Sequence, residues 1–418
     1  MNYDSKTAYK IKEQIVRFCE NITSSLKKPQ KKFVRQIIFG IQASKDVKLS
    51  NISRSLKEDI PLIKTENRLS RNLSQNNITE IITDNILNLA KGRIQKETVL
   101  VIDLSDIKKE YAECMENLAT VYNGSSGDTN SRGYWLLSVL GADVKGDELM
   151  PLILKIFSQE AEEFKSENEE ITSAIKKVSY HVGKRGIWVI DRGGDRGILY
   201  KFLIQEEHKF VIRARSDRSI LHKGKLKNIL DVSKSLKDYS VIEIEINKEG
   251  QAEKKKLSIV EEEVFLPLFM DIPLKLVIIE GFGEEPTLLL TNLLDKTKEE
   301  ILEIYLTRWK CEESFRFIKQ SYNLEDIRVR NWQGLKNLVV LVLAVFYFIS
   351  VELGKKLRLN ILLQKIYQKA KRFFGIPSFK HYAIADGIYA FLFASIKGID
   401  KFSPKPIPQN LTLPLPGF

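Results

Sequence analysis

The sequence predicts a multi-domain α/β protein: a sheet of mixed direction, followed by a β-rich insertion, with helical regions at both ends. Three observations carry this expectation. Apolar residues recur at three and four through residues 1–95 and again after about residue 291, which is the spacing of helices. The runs VLVI (Val99 to Ile102) and GIWVI (Gly186 to Ile190) read as short strands buried on both faces. Between about Phe210 and Leu290 the pattern turns to alternation, as in VIEIEINKEG and LKLVIIEGF.

Taken in order, FVRQIIFGI and NRLSRNLSQ belong to the first helical region, residues 1–95. Two short helical patterns meet there around Pro61, and two readings stay open. One is a helix-turn-helix presenting Lys64, Arg68 and Arg71 to DNA, and the other is a small helical bundle with a polar face. ETVLVIDLSDI opens the core, residues 96–208, and YWLLSVLGADV and ELMPLILKIF follow as a hairpin around the turn KGD. An acidic segment of helical period runs from Gln159 to about Val182. The strand GIWVID then leads through the Gly-rich DRGGDRG and a helix to HKFVIRAR. Residues 209–290 read as the β-rich insertion, 291–350 as the rest of the core, and 351–418 as a basic helical region ending in SPKPIPQNLTLPLPGF.

With 43% hydrophobic and 29% charged residues, the 418-residue chain has a globular composition, neither disordered nor fibrous. Its charge is unevenly placed. Residues 1–73 hold 16 Lys and Arg against 7 Asp and Glu, and residues 354–418 hold 11 against 2, so each end is +9 and the stretch between is −6. Basic ends around an acidic middle suit a polyanionic partner. Cys19, Cys114, Cys311 and four histidines lie far apart, which supports neither a disulfide framework nor a zinc site. The run Leu338 to Val351 is shorter than the roughly 20 residues a membrane crossing needs and reads as a buried helix. The polar N-terminus does not resemble a signal peptide, so the expected location is cytoplasmic, on the nucleoid when bound to DNA.

Two acids stand at matching places, Asp103 after TVLVI and Asp191 after GIWVI, and sites in α/β sheets gather at the carboxyl ends of strands. Either acid alone is equally at home as a turn or cap residue. If the strands are parallel neighbours, the two carboxylates converge. The stretch YLTRWKCEESFRFIK adds more. On one helix at roughly 100° per residue, Tyr305, Arg308, Glu312 and Lys319 fall within a stripe about 60° wide, with Glu313 outside it. Arg308 and Glu312 also have the spacing of an ordinary surface salt bridge. Two Asp and one Glu have the hard oxygen ligands to hold two Mg²⁺ or Mn²⁺ ions about 4 Å apart for phosphodiester chemistry. Arg308 and Lys319 suit phosphates, and Trp309 suits stacking on an unpaired base.

Tyr305, Arg308, Glu312 and Lys319 reproduce Y-x2-R-x3-E-x6-K, which resembles the signature of DDE-class insertion-sequence transposases, the branch with a β-rich insertion in a ribonuclease H-like core. IDLSDIKK is similar to that family's first-Asp strand and VIDRGGDRG to its second-Asp motif; LLLTNL and IRVRNWQGL flank the last helix in the same way. The resemblance spans roughly residues 97 to 350. It implies Asp103, Asp191 and Glu312 as the metal-binding catalytic triad. It also implies Tyr305, Arg308 and Lys319 as contacts to transposon-end phosphates, with Arg328 and Arg330 of IRVRNWQGL among the DNA-binding residues. The activity it implies is metal-dependent nicking at element ends and strand transfer into target DNA, within a synaptic homodimer on double-stranded DNA. Some relatives form a DNA hairpin and flip a base onto a Trp of the insertion. Residues 205 to 300 here contain no Trp, leaving Phe210, Tyr239, Phe265, Phe269 or Phe282 as conjectural substitutes. The first motif departs from the commoner Asp-Gly-Thr or Asp-Thr-Thr and reads Asp-Leu-Ser, with Ser105 keeping a hydroxyl.

Other nearby residues have blander readings. Asp106 and Asp195 read as capping or supporting groups more than as ligands, and His181 and His208 as packing residues. Arg192 divides between a phosphate contact and a structural salt bridge. Two other functions remain in view: an Mg²⁺-dependent nuclease that cuts without joining, and a non-enzymatic DNA-binding descendant. The presence of all three acids speaks against the second of these, because carboxylates repel approaching phosphates.

Overall fold

The computed structural model of the chain describes residues 3–121, 131–144, 148–248, 251–353, 357–370, 372, 376–400 and 402. The KGD turn, most of the loop from Tyr122 to Gly133 and the proline-rich tail lie outside the described residues. Helices come first: α1 (Tyr3–Ile22), α2 (Lys28–Ser44), α3 (Leu49–Leu56), α4 (Leu62–Gln75) and α5 (Thr79–Ala90). Strands β1 (Val99–Lys108), β2 (Ala119–Val121), β3 (Ser131–Ala142) and β4 (Leu149–Phe157) follow, then α6 (Glu167–Val182), β5 (Ile187–Ile190), α7 (Gly197–Gln205) and β6 (Lys209–Arg213).

Within the core the order is β4-β3-β1-β5-β6. Strand β3 runs antiparallel to both neighbours, and β5 and β6 run parallel to β1. This is the order and direction of a ribonuclease H-like sheet, so the predicted fold class holds. The short β5 is buried throughout, as its unbroken apolar run requires. Helix α6 starts at Glu167, later than the acidic period suggests. Ser166 caps it by accepting from the Glu169 N–H, and Glu167, Glu169 and Glu170 sit at the positive end of its dipole.

The insertion comprises β7 (Ser219–His222), β8 (Lys225–Asn228), α8 (Ile229–Ser235), β9 (Ser240–Lys248), β10 (Gln251–Leu266), β11 (Phe269–Glu280) and β12 (Thr287–Thr291). Its strands extend the core sheet: β12 pairs antiparallel with β6, and β11 and β10 continue outward. Lys209–Arg213, expected to open the insertion, is therefore a core strand, and β12 satisfies the backbone groups that β6 would otherwise leave at an open edge.

Helices α9 (Lys298–Leu306), α10 (Trp309–Ser321), α11 (Trp332–Tyr347), α12 (Leu357–Ala370) and α13 (His381–Phe393) complete the fold. With a wider final turn through Glu352, α11 becomes a 21-residue apolar helix, longer than the sequence run indicates. It is long and apolar enough to cross a membrane by length and composition, but 89% of its most apolar window is buried inside the protein. It packs against β4, α2, α4 and α5. Helix α13 lies on α1 and α2. Lys12 donates to Ser395 Oγ at 2.7 Å and Lys57 to the Phe393 carbonyl at 3.2 Å, placing cations at the negative end of α13. The two basic ends of the sequence are thereby joined in one helical body.

The pair α3 and α4 is part of that body, packed on α2 and α11. Lys64 and Arg71 are exposed. Arg68, which the helix-turn-helix reading presents to DNA, is instead tied within this body. Its Nη2 donates to both carboxylate oxygens of Glu58, at 2.8 and 2.7 Å, and its Nη1 to Gln36 at 3.2 Å. The largely buried Glu58 carboxylate needs a fixed cationic donor, and Arg68 supplies it.

Candidate active site at the ends of the central strands

Strand β1 pairs with β5 only through Ile102 and Ile190, so Asp103 and Asp191 leave the parallel ladder at the same level. On its other side β1 does not stop at Asp103, as TVLVI suggests. It runs on to Lys108 because the longer β3 continues to pair with it, Asp103 opposite Ser138. The sheet thus opens along one side of β1, and Asp103 stands at the mouth of the opening.

Asp191 caps a short 3₁₀ turn, Arg192–Gly194, with its Oδ1 accepting from the Gly193 N–H at 2.9 Å. A Cβ on Gly194 would lie 2.2 Å from Ile190 Cγ2, so only glycine lets this turn fold back on its strand. Gly194→Ala is expected to cost about 1–3 kcal/mol of stability by forcing the turn off β5. Gly92→Ala, where a Cβ meets nothing within 4 Å, is the control in the same thermal-unfolding comparison and is expected to be neutral. Asp195 is a structural anchor, wholly buried, held by Arg218 Nε at 2.9 Å and the Arg215 N–H at 2.7 Å.

Glu312 reaches this place from α10. The stretch Tyr305 to Lys319 is not one regular helix: α9 ends at Leu306, α10 begins at Trp309, and the junction is wound more tightly. Arg308 N bonds to Tyr305 O at 3.0 Å, Lys310 N to Thr307 O at 3.1 Å and Cys311 N to Arg308 O at 2.9 Å, all spanning three residues. The single stripe drawn from 100° steps is therefore broken between Tyr305 and the rest. Tyr305 is buried at the end of α9, its ring centre 5.9 Å from the Arg308 guanidinium carbon.

The Arg308 guanidinium bridges two of the acids, Nη1 to Asp103 Oδ2 at 3.3 Å and Nη2 to Glu312 Oε1 at 2.5 Å. Asp103 and Arg308 are each only 12% exposed, whereas Glu312 is half exposed. Burial is the main reason that the Asp103 carboxyl is pushed up to about 7, and the nearby Asp191 charge adds to it. Arg308 and the Leu104 N–H pull the other way without offsetting them, and Glu312 adds a little more. Burial also disfavours the Arg308 charge, but Tyr305, Asp103 and Glu312 more than compensate and hold its proton more tightly than usual.

Lys319 lies 3.7 Å from Asp106 Oδ1 and 3.1 Å from Glu325 Oε1, about two helical turns beyond Glu312 on α10. Glu313 pairs with Arg316 on another face. Trp309 is 43% exposed and meets the Phe282 ring edge-on at 6.3 Å. Phe210, one of the conjectural base-stacking residues, is fully buried against Tyr200 and has no free face. Arg192 is exposed and has no ion pair among the described residues. Arg328 and Arg330 are exposed and, with Lys48, Asn67 and Ser70, line a cleft of about 480 Å³ between the helical body and the segment after α10. His181 is tied to Asn88 and Asp84, and His208 is buried beside Trp188 and Phe202.

Two residues at the site carried no functional signal in the sequence. Cys311 is fully buried, bonded to Ser138, and burial pushes its thiol well up, with Asp103 adding to this, so it stays protonated and inert. Its spacing of four and seven to the buried Phe315 and Ile318 marks it as inward-facing. Ser138 is placed only by the β1–β3 register. Among the described residues no three His, Cys, Asp or Glu side chains are gathered closely enough to hold a metal ion. The donor chemistry fits a hard cation: three carboxylates, one cation already bridging two of them, and Asp191 near enough to raise the proton affinity of Asp103.

The chain thus combines a ribonuclease H-like core with acids at the open ends of adjacent parallel strands and basic groups beside them. Residues 167–348 match the family model described as Transposase DDE domain, so this stretch of the chain is similar to that domain. The matched stretch contains Asp191, Tyr305, Arg308, Glu312 and Lys319; Asp103 precedes it. No curated protein matches the chain. Among solved structures, the chain is similar to the piggyBac transposase in a synaptic complex with hairpin DNA, at 13% identity and a TM-score of 0.46 over 97% of this chain and 87% of that one. It is also similar to the Drosophila P element transposase in a strand transfer complex, at 10% identity and a TM-score of 0.18 over 84% and 92%.

Proposed function

We propose that the protein is a DNA transposase in which Asp103, Asp191 and Glu312 hold two Mg²⁺ or Mn²⁺ ions and cut and join DNA at the ends of its own element. The observation that carries this reading is the bridge at the sheet opening: Arg308 links Glu312 of α10 to Asp103, where the β1–β5 ladder ends beside Asp191. Bound there, divalent ions supply Lewis-acid activation of water or a 3′-hydroxyl and stabilise the leaving oxygen.

The chain's own groups do the rest. Asp103 and Asp191 are fixed by strand and turn backbone, so they hold ligand oxygens at a rigid spacing, while the half-exposed Glu312 can adjust from its helix. Arg308, Lys319 and the exposed Arg192 would bind phosphates around the scissile bond, and the exposed face of Trp309 would stack on an unpaired base. Lys64, Arg71, Arg328 and Arg330 offer exposed charge for duplex DNA farther from the acids. Cleaving two element ends in one assembly calls for two active sites, which a homodimer supplies.

The test is cleavage and strand transfer on DNA bearing the inverted repeats that flank the coding sequence, with Mg²⁺ or EDTA. Glu312→Gln is expected to lower both steps by at least about 10³-fold, and Glu313→Gln, whose partner Arg316 lies on another face, to remain within about threefold of wild type. Equal activity in the two variants would remove Glu312 from the site. Cutting without joining would make the protein a nuclease.

A further inference from the structure

We infer that Arg308 is a built-in occupant of the cation position, which holds Asp103 and Glu312 until DNA phosphate draws it away, so that DNA binding and metal loading promote each other through one side chain. The inference rests on the carboxylate reading above and adds its regulation.

The geometry provides three supports. First, the guanidinium contacts Asp103 Oδ2 and Glu312 Oε1 at once, at 3.3 and 2.5 Å, and is 12% exposed. A divalent ion taking an oxygen from each of these carboxylates would compete with it for the same atoms and the same space. Second, the fit of Arg308 there is incomplete. Its Nε is buried and has no hydrogen-bond acceptor among the described residues, so this donor is left unpaired. A phosphate accepts from Nε and an Nη together, which gives the side chain a better-satisfied alternative. Third, its backbone sits in the tightly wound junction between α9 and α10, bonded to Tyr305 O and Cys311 N. The side chain can therefore turn out towards phosphate while Glu312 keeps its place on α10.

Two states follow. With Arg308 inward, the acids are neutralised internally and bind a metal weakly; with Arg308 on phosphate, two carboxylates are freed. A side chain that favours DNA in one state and opposes metal in the other makes the two ligands positively coupled, and coupling of this kind is reciprocal. Metal ions would then load mainly on a protein already holding DNA, which limits idle nicking chemistry.

The experiment is Mn²⁺ binding to the full-length protein, read from the free-ion signal in electron paramagnetic resonance. It compares wild type, Arg308→Ala, Arg308→Gln, Asp103→Asn and Glu312→Gln, each without DNA and with saturating duplex of the flanking inverted repeat. Circular dichroism selects the folded member of the two Arg308 variants. Without DNA, removal of Arg308 is expected to tighten Mn²⁺ binding about tenfold, and with DNA the difference from wild type is expected to vanish. Unchanged or weaker Mn²⁺ binding in the Arg308 variants would overturn the inference. So would an advantage that persists undiminished with DNA, since the charge would then act through space and not by occupancy. If Asp103→Asn and Glu312→Gln leave Mn²⁺ binding unaltered, the carboxylate reading itself fails, a result distinct from either of these.

Discussion

Asp103→Asn is expected to abolish DNA cleavage and strand transfer, by at least about 10³-fold, and at the same time to stabilise the metal-free protein. The two effects have one cause. Asp103 is buried with its carboxyl pushed up to about 7, so the folded chain resists the charge that a metal ligand must carry. For a carboxyl whose folded value is raised, the folded state binds more protons than the unfolded one between roughly pH 4 and 7. Stability tied to Asp103 is therefore fully present below about pH 4 and is lost as pH rises through about 7. An amide carries no such penalty. With EDTA present, the variant is expected to exceed wild type by on the order of 1–3 kcal/mol at pH 8 and by nothing at pH 4. Urea unfolding at the two pH values, beside the cleavage assay, checks both halves. A variant that loses activity with no pH-dependent gain would mean that Asp103 is not strained in the empty site.

Asn337→Leu is expected to be the most damaging substitution far from the acids, lowering stability by about 3–5 kcal/mol. Asn337 is fully buried in α11. Its Nδ2 donates to the Leu73 carbonyl at 2.7 Å and to the Asn76 carbonyl, and its Oδ1 accepts from Thr79 Oγ1 at 3.1 Å and Gln333 Nε2 at 3.1 Å. These partners lie at the end of α4, the start of α5 and within α11, so one side chain satisfies the backbone where the helical body turns against the core helix. Leucine would leave both carbonyls buried and unpaired. Chemical denaturation should show a lower midpoint, while Gln333→Leu, which removes only one partner of the side chain, should cost about 1 kcal/mol or less.

These two residues differ in how visible they are in the sequence. Asp103 follows VLVI, and a buried strand that ends in a carboxylate draws attention because burial and charge conflict. Asn337 lies in QGLKNLVVLVL and looks like a polar interruption in an apolar helix, because the Leu73 and Asn76 carbonyls and the Thr79 hydroxyl that it pairs with are more than 250 residues away. Arg68 shows the opposite error. Its helical spacing from Lys64 and Arg71 suggests a shared exposed face, but Glu58, ten residues earlier, holds its guanidinium in a bidentate pair that leaves it only partly exposed.

The sequence by itself determined the order of strands and helices, the two Asp positions and the motif bearing Arg308, Glu312 and Lys319, because each depends on residues close together in the chain: period, turn chemistry and local spacing. Tertiary structure alone decided four other matters. It extended the insertion into the core sheet, joined the two basic ends into one body and wound the helix junction that separates Tyr305 from Glu312. It also set the Arg308 guanidinium between two acids. Each of these is fixed by pairing or burial between segments far apart in sequence, where edge hydrogen bonds, desolvation and charge neutralisation are balanced over neighbours that no local pattern records.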